Sequence, residues 1–123
     1  MQPKPTSFEE FWPYYVSQHA DPVNRWLHFA GTSMALGCLA MSPVAPPMLL
    51  AAPVVGYGMA WIGHYGFEKN RPVTFDKPLW SLRGDLKMWS LMLRGRMRAE
   101  IERTQRGAAA PDAAERSAAT RAA

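Results

Sequence analysis

A run of 42 residues without a lysine, arginine, aspartate or glutamate, residues 26–67, constrains this chain more than any other feature. Domains of this size that fold in water rarely go so long without a charge. The run is long enough for two membrane crossings of about 17 to 20 residues each. A proline cluster at residues 42–47 interrupts it near the middle, and proline clusters end helices. The run therefore predicts an apolar helical hairpin, with helices near residues 24–41 and 47–67.

Amphipathic patterns flank the predicted hairpin on both sides. Before it, apolar side chains recur at helical spacing at Phe8, Phe11, Trp12 and Tyr15. Pro13 is expected to interrupt that helix or to start its second half. After the hairpin the spacing returns among basic residues, at Leu82, Leu86, Trp89, Leu93 and Met97. This second pattern predicts a helix that lies at a membrane surface or packs on the hairpin.

The fold class that follows is all-α: a small helical membrane protein with a central apolar hairpin and flanking amphipathic helices. A length of 123 residues leaves room for one domain. Residues 107–123 are rich in alanine and small polar residues and show no apolar periodicity. We therefore expect a membrane domain at residues 1–106 and a disordered tail at residues 107–123.

The basic residues lie mainly after the apolar run, and the formal net charge is +4. This placement favours cytoplasmic termini and contact with anionic lipid heads. Nucleic-acid binding is not expected, because the exposed aromatic and glycine motifs of RNA-binding domains are missing. The Ala- and Arg-rich tail is typical of a GC-rich bacterial genome. We therefore expect an integral protein of a bacterial inner membrane with both termini cytoplasmic, and a homo-oligomer is compatible with the sequence.

All three histidines of the chain fall near one end of the predicted hairpin. His28 and His64 each lie 18 residues from Pro46 at its tip. At a rise of about 1.5 Å per residue, antiparallel helices bring these two side chains to the same depth. His19 lies just before the turn that leads into the first helix. Glu68 follows His64 by four residues and so shares a side of its helix.

Histidines that converge in this way allow more than one interpretation. Imidazole binds iron, zinc and copper well, and two or three histidines with a carboxylate suit a non-haem Fe(II) centre that activates oxygen. A single histidine near a helix end more often makes structural hydrogen bonds. Arg71 lies either in a solvated loop or against a substrate carboxylate, which it would bind through two hydrogen bonds. Asp85 is expected to pair with a neighbouring arginine or lysine.

Three segments of the chain resemble the Mpo-type 2-hydroxy fatty acid dioxygenase family. They are FEEFWPYYVSQHADPVNRWLHFAGT (residues 8–32), GYGMAWIGHYGFEKNRPVTF (residues 56–75) and PLWSLRGDLKMW (residues 78–89). The resemblance implies a small multi-helix membrane protein with Fe(II)-dependent dioxygenase activity. Such an enzyme shortens a 2-hydroxy fatty acid by one carbon, through α-oxidation, in the breakdown of the sphingoid base phytosphingosine. The implied partners are a lipid or 2-hydroxy fatty acid substrate and the membrane.

The resemblance also implies roles for individual residues. The histidines of the family motifs correspond to His19, His28 and His64, which are expected to hold Fe(II). Glu68 and Arg71 match the polar motif that follows and are expected to act in catalysis, Glu68 as a further ligand or as the partner of a ligand. The competing hypothesis is a non-catalytic small membrane protein that binds lipid and whose histidines are structural.

Overall fold

The computed structural model describes residues 4–122, without the side chains of residues 108–115. No strand occurs among the described residues, so the predicted all-α class is confirmed. The helices are α1 (Phe8–Ser17), α2 (Pro22–Met41), α3 (Met48–Trp61), α4 (Pro78–Leu93) and α5 (Met97–Ala122). Helix α3 continues into a π-helical segment (Ile62–Glu68), and a 3-10 turn (Val73–Phe75) precedes α4.

Helices α2 and α3 form the predicted apolar hairpin. Helix α2 begins at Pro22, and the missing N–H of this proline costs nothing because an N–H in the first turn has no acceptor within the helix. The Asp21 side chain caps the helix by accepting a hydrogen bond from the Val23 N–H at 2.8 Å. Helix α3 has 14 residues and is about 21 Å long, whereas the apolar layer of a bilayer is about 30 Å thick. Within residues 4–122 no helix combines the length and the apolar character that a membrane crossing requires. The two expected crossings are therefore not supported.

The hydrophobic core lies where α1 packs against α4 and the start of α5. The predicted apolar face of α1 is buried, with Phe11, Trp12 and Tyr15 at most 2% exposed. Helix α1 runs through Pro13 without a break, and this proline lies on the exposed side. Met88 and Leu91 contribute the α4 side of the core.

Helix α4 packs on the hairpin, as one of the two expectations for this segment has it, and its position at a membrane surface stays a prediction. The Trp89 Nε1 donates a hydrogen bond to Ser33 Oγ at 2.9 Å. Its ring also stacks on Phe29 with 6.3 Å between ring centroids. Because α4 contacts both α1 and α2, it joins the hydrophobic core to the hairpin.

Helix α5 covers residues 107–122, where the composition predicted a disordered tail. Alanine has the highest intrinsic helix propensity, and the missing apolar periodicity does not outweigh it in this segment. No helix end marks residue 106. The division into two parts at that position stays a prediction.

Candidate metal centre

The three histidines meet at the base of the hairpin, each carried by a different part of the chain. His19 follows α1, His28 lies in α2 and His64 lies in the π-helical segment. All three are buried, at 4% exposure or less. One ring nitrogen of each lies within 4.8 Å of the others, and the Nε2 atoms of His19 and His28 are 3.2 Å apart. The structure thus brings together the three residues expected to hold a metal.

Each imidazole is held by a hydrogen bond from its Nδ1 to an oxygen. The acceptors are the carbonyl oxygen of Tyr15 for His19 (2.7 Å), that of Asn24 for His28 (2.9 Å) and Oδ1 of Asn70 for His64 (2.6 Å). Because none of these oxygens carries a proton, the proton lies on Nδ1 in all three rings. Proteins orient metal-binding histidines by the same kind of hydrogen bond.

The Nε2 atoms therefore present three lone pairs to one another, without a proton between them. The rings stand nearly perpendicular, with interplanar angles of 76 to 89° and centroids 4.5 to 4.9 Å apart. Two lone pairs cannot form a hydrogen bond, and buried acceptors without a partner are unfavourable. A cation among the three nitrogens would satisfy all of them.

Burial keeps these imidazoles in the neutral form that binds metals. Desolvation is the main cause of a lowered pKa at each histidine, and it lowers the pKa of His28 to about 4. The neighbouring imidazoles lower the pKa of His19 and His28 further, since two positive rings repel each other. No proton has to leave these rings before a metal binds near neutral pH.

The π-helical segment sets the position of His64. It ends at Glu68, and the next residue, Lys69, adopts a left-handed conformation with φ of 58°. The Asn70 backbone N–H then donates to the His64 carbonyl at 3.1 Å. Gly63 allows α2 to approach closely: a Cβ atom there would lie 1.9 Å from Asn24 Oδ1. Helical segments of this type occur frequently at functional sites.

Glu68 lies beside the centre but is not among the side chains whose ligand atoms converge. Its Oε1 accepts hydrogen bonds from the Asp21 backbone N–H and, at 3.4 Å, from Asn24 Nδ2. These contacts join the π-helical segment to the beginning of α2, next to the carbonyl that orients His28. The position suits a residue that holds the two helices together, and a catalytic role for Glu68 stays a prediction.

Arg71 lies farther out, on the surface. Its side chain is 66% exposed, its Nη1 lies 3.9 Å from Asp76 Oδ1, and its guanidinium covers the Phe75 ring at 5.0 Å. This position agrees with the solvated-loop interpretation. Its proposed contact with a substrate carboxylate stays a prediction.

A cavity of about 10 Å³ adjoins the histidines, and α4 forms part of its wall. This volume suits one water-sized group. Besides the three histidines, the polar residues Tyr15, Thr74, Ser81 and Asp85 line it. Ser81 and Asp85 are one turn apart on α4, in the SLRGD stretch, so they lie on the same side of the helix.

The predicted ion pair between Asp85 and a basic residue does not occur among the described side chains. It is partly buried, and its Oδ1 accepts a hydrogen bond from the Tyr15 hydroxyl. Burial raises the pKa of Asp85 to about 7. The nearby basic residues of α4 contact α1 instead, where Arg83 covers the Phe8 ring and Lys87 the Trp12 ring. The helical spacing in SLRGD is enough to predict that Asp85 and Ser81 lie on the same side of the helix. It cannot predict the contact with Tyr15, which is 70 residues away in the sequence.

The three imidazole nitrogens are suitable ligands for a divalent first-row transition metal. Three neutral imidazoles leave coordination positions open, as in catalytic metal sites, and imidazole suits iron, zinc, copper and nickel. The polar side chains of Ser81 and Asp85 on α4 line the same cavity as the three histidines. The arrangement can therefore hold a metal and admit one further oxygen ligand.

A family model described as 2-hydroxy-palmitic acid dioxygenase Mpo1-like matches residues 5–97. Neither the curated proteins nor the solved structures yielded a match. The matched residues include the three histidines and the α4 wall of the cavity, and they make up most of the chain. The chain therefore belongs to the 2-hydroxy-palmitic acid dioxygenase Mpo1-like family.

Proposed function

We propose that this protein is an Fe(II)-dependent dioxygenase that shortens 2-hydroxy fatty acids by one carbon. The observation that carries the proposal is the convergence of three buried Nε2 lone pairs, each oriented through Nδ1. The family description supplies the substrate class. One oxygen molecule and one 2-hydroxy acid balance as the shorter acid, carbon dioxide and water, so no other reductant is needed.

In this proposal His19, His28 and His64 hold the metal, which supplies the redox chemistry with oxygen when it is bound. The residues around them perform three tasks. Tyr15, Asn24 and Asn70 keep the rings oriented through hydrogen bonds. Burial keeps bulk water away from the reacting atoms. The polar wall of α4 binds the oxygen atoms of the ligand.

Contact with a lipid surface is a second part of the proposal. The hairpin carries no charge between residues 26 and 67, and several of its apolar side chains are 45 to 80% exposed. These exposed side chains are Leu39, Met41, Val44, Leu49, Leu50 and Val54. An apolar surface of this kind suits contact with a membrane, from which a fatty acid would reach the site. The inner-membrane location and the cytoplasmic termini stay predictions.

The test is an activity assay with defined metal content. The protein is purified without oxygen in mild detergent, loaded with Fe(II), and incubated with 2-hydroxypalmitic acid and oxygen. Mass spectrometry should detect the acid one carbon shorter, and the product should disappear in His64→Ala. Bound iron without product would refute this substrate while retaining the metal centre. A folded protein with neither iron nor product would refute the enzyme and support the alternative, a lipid-binding protein with structural histidines.

A further inference from the structure

The Ser81 side chain is a buried polar group without a partner. It is 2% exposed, and its Oγ makes no hydrogen bond with any described residue. A buried hydroxyl in this state costs on the order of 1–3 kcal/mol of desolvation. The side chain lines the same small cavity as the three histidines. Such a group indicates a ligand that is missing from its surroundings.

Asp85 supplies a second polar group to this wall of the cavity. The Tyr15 hydroxyl donates to one carboxyl oxygen, Oδ1. Tyr15 is itself fixed, because its ring stacks on His19 at 4.1 Å and its carbonyl accepts from the same histidine. The carboxyl group is therefore held toward the cavity by the residue that also orients a metal-binding histidine.

We propose that Ser81 and Asp85 bind the oxygen atom that a ligand places opposite the three histidines, and that this atom is the 2-hydroxyl oxygen of the acid. The proposal rests on the proposed function. A hydroxyl group has one proton and two lone pairs. It can donate to Asp85, accept from Ser81 Oγ, and keep one lone pair for the metal.

The size of the cavity supports this assignment. A volume of about 10 Å³ admits one hydroxyl-sized group between α4 and the histidines. A fatty acid without the 2-hydroxyl would leave the Ser81 hydroxyl unpaired and would give the Asp85 carboxyl no hydrogen bond beyond the one from Tyr15. Sites that hydrogen-bond a ligand hydroxyl discriminate strongly against the analogue that lacks it. Ser81 and Asp85 would thus be the residues that select 2-hydroxy acids.

The experiment compares two short acids on cobalt-loaded protein. Co(II) replaces iron so that no turnover occurs, and its visible absorption reports a change in coordination. Titration with 2-hydroxyoctanoate and with octanoate gives the ratio of the two dissociation constants. The variants are Ser81→Ala and Asp85→Asn, and the control is Ser90→Ala, which removes a hydroxyl of α4 that bonds only the exposed Arg94. Metal content is measured for every protein.

We expect the unaltered protein and Ser90→Ala to bind 2-hydroxyoctanoate more tightly than octanoate. Ser81→Ala should reduce the ratio of the two dissociation constants about tenfold, with unchanged cobalt content. Asp85→Asn should reduce it by a smaller factor, because the side-chain amide can still form a hydrogen bond with a hydroxyl group. An unchanged preference in Ser81→Ala would overturn this inference and leave the proposed function standing. Failure of the unaltered protein to bind cobalt, or to bind either acid, would refute the proposed function and the inference with it.

Discussion

At the scale of single residues, Asn70 controls the orientation of His64. Its Oδ1 accepts from His64 Nδ1 at 2.6 Å, and its Nδ2 donates to the Gln18 carbonyl at 3.0 Å. We expect Asn70→Ala to weaken metal binding 10- to 100-fold, since the ring loses the acceptor that sets its tautomer. Asn70→Asp keeps an oxygen in place and should retain most of the affinity. Competition with a chromogenic chelator for Zn(II) measures both, and equal affinity in Asn70→Ala would contradict this role.

The histidines could be predicted from the sequence, whereas the α4 wall of the cavity could not. His28 and His64 are equidistant from Pro46, and an antiparallel hairpin brings such positions together. For Asp85 the nearest charged residues in the sequence are basic, Arg83 and Lys87, so the sequence predicts an ion pair. Its actual partner, Tyr15, becomes a neighbour only through the packing of α1 on α4. Contacts of this kind depend on tertiary structure, which periodicity does not encode.

At the scale of elements, the approach of α2 to the π-helical segment requires a glycine at position 63. A methyl group there would lie 1.9 Å from Asn24 Oδ1. We expect Gly63→Ala to lower the free energy of unfolding by about 1–3 kcal/mol and to weaken metal binding, because it separates His28 from His64. Urea unfolding and metal titration measure the two effects.

The matched control for this prediction is Gly37→Ala in α2. Gly37 is exposed and has open space around its missing Cβ. Alanine is the better helix former, so this variant should be neutral or more stable by about 0.5–1 kcal/mol. If both variants behaved alike, close packing at position 63 would not be the cause.

The hairpin also shows which helices the hydrophobic pattern of the sequence can predict and which it cannot. The proline cluster and the apolar run predict both ends of α2 and the beginning of α3 to within two residues, whereas the predicted end at residue 67 lies six residues beyond the end of α3 at Trp61. The π-helical segment was not predicted, because its residues, Ile62–Glu68, read as a simple continuation of an apolar helix. The membrane crossings were inferred from the length of the charge-free run, but that run includes the turn and the π-helical segment. Neither contributes to an α-helix that could span a bilayer.

At the scale of the whole molecule, the hairpin tip, residues 42–47, contributes no residue to the hydrophobic core of the described part of the chain. If the tip contacts lipid, Leu50→Glu should weaken binding to vesicles of phosphatidylethanolamine and phosphatidylglycerol at least tenfold, since a leucine side chain contributes about 1.5–3 kcal/mol on burial. Leu50 is 75% exposed, so the protein should remain stable. Vesicle flotation measures the binding. Leu79→Glu, at an equally exposed position on α4, should bind normally, and equal losses in both variants would argue against the tip.

The stability of the whole molecule should depend on pH through two opposing effects. Burial lowers the pKa of the histidines, and for His28 it lowers the pKa from 6.5 to about 4. The contribution of the neutral histidines to the free energy of unfolding is therefore complete above pH 6.5, and it is lost as the pH falls through the lowered pKa values. Burial raises the pKa of Asp85 from 3.8 to about 7. The contribution of its protonated carboxyl to the free energy of unfolding is therefore complete below pH 3.8, and it is lost as the pH rises through 7. Between pH 4 and 7 the two contributions change in opposite directions.

Asp85→Asn should therefore separate these contributions in the metal-free protein. The variant keeps an acceptor for the Tyr15 hydroxyl but loses the titration, so its stability should rise more steeply with pH than that of the unaltered protein. The difference between the two free energies of unfolding should grow from pH 4 to pH 7 by an amount on the order of a few kcal/mol. Urea unfolding at each pH measures it, with the exposed Asp76→Asn as control. A difference that stayed constant across this range would show that the Asp85 carboxyl titrates in the folded protein as it does in the unfolded chain.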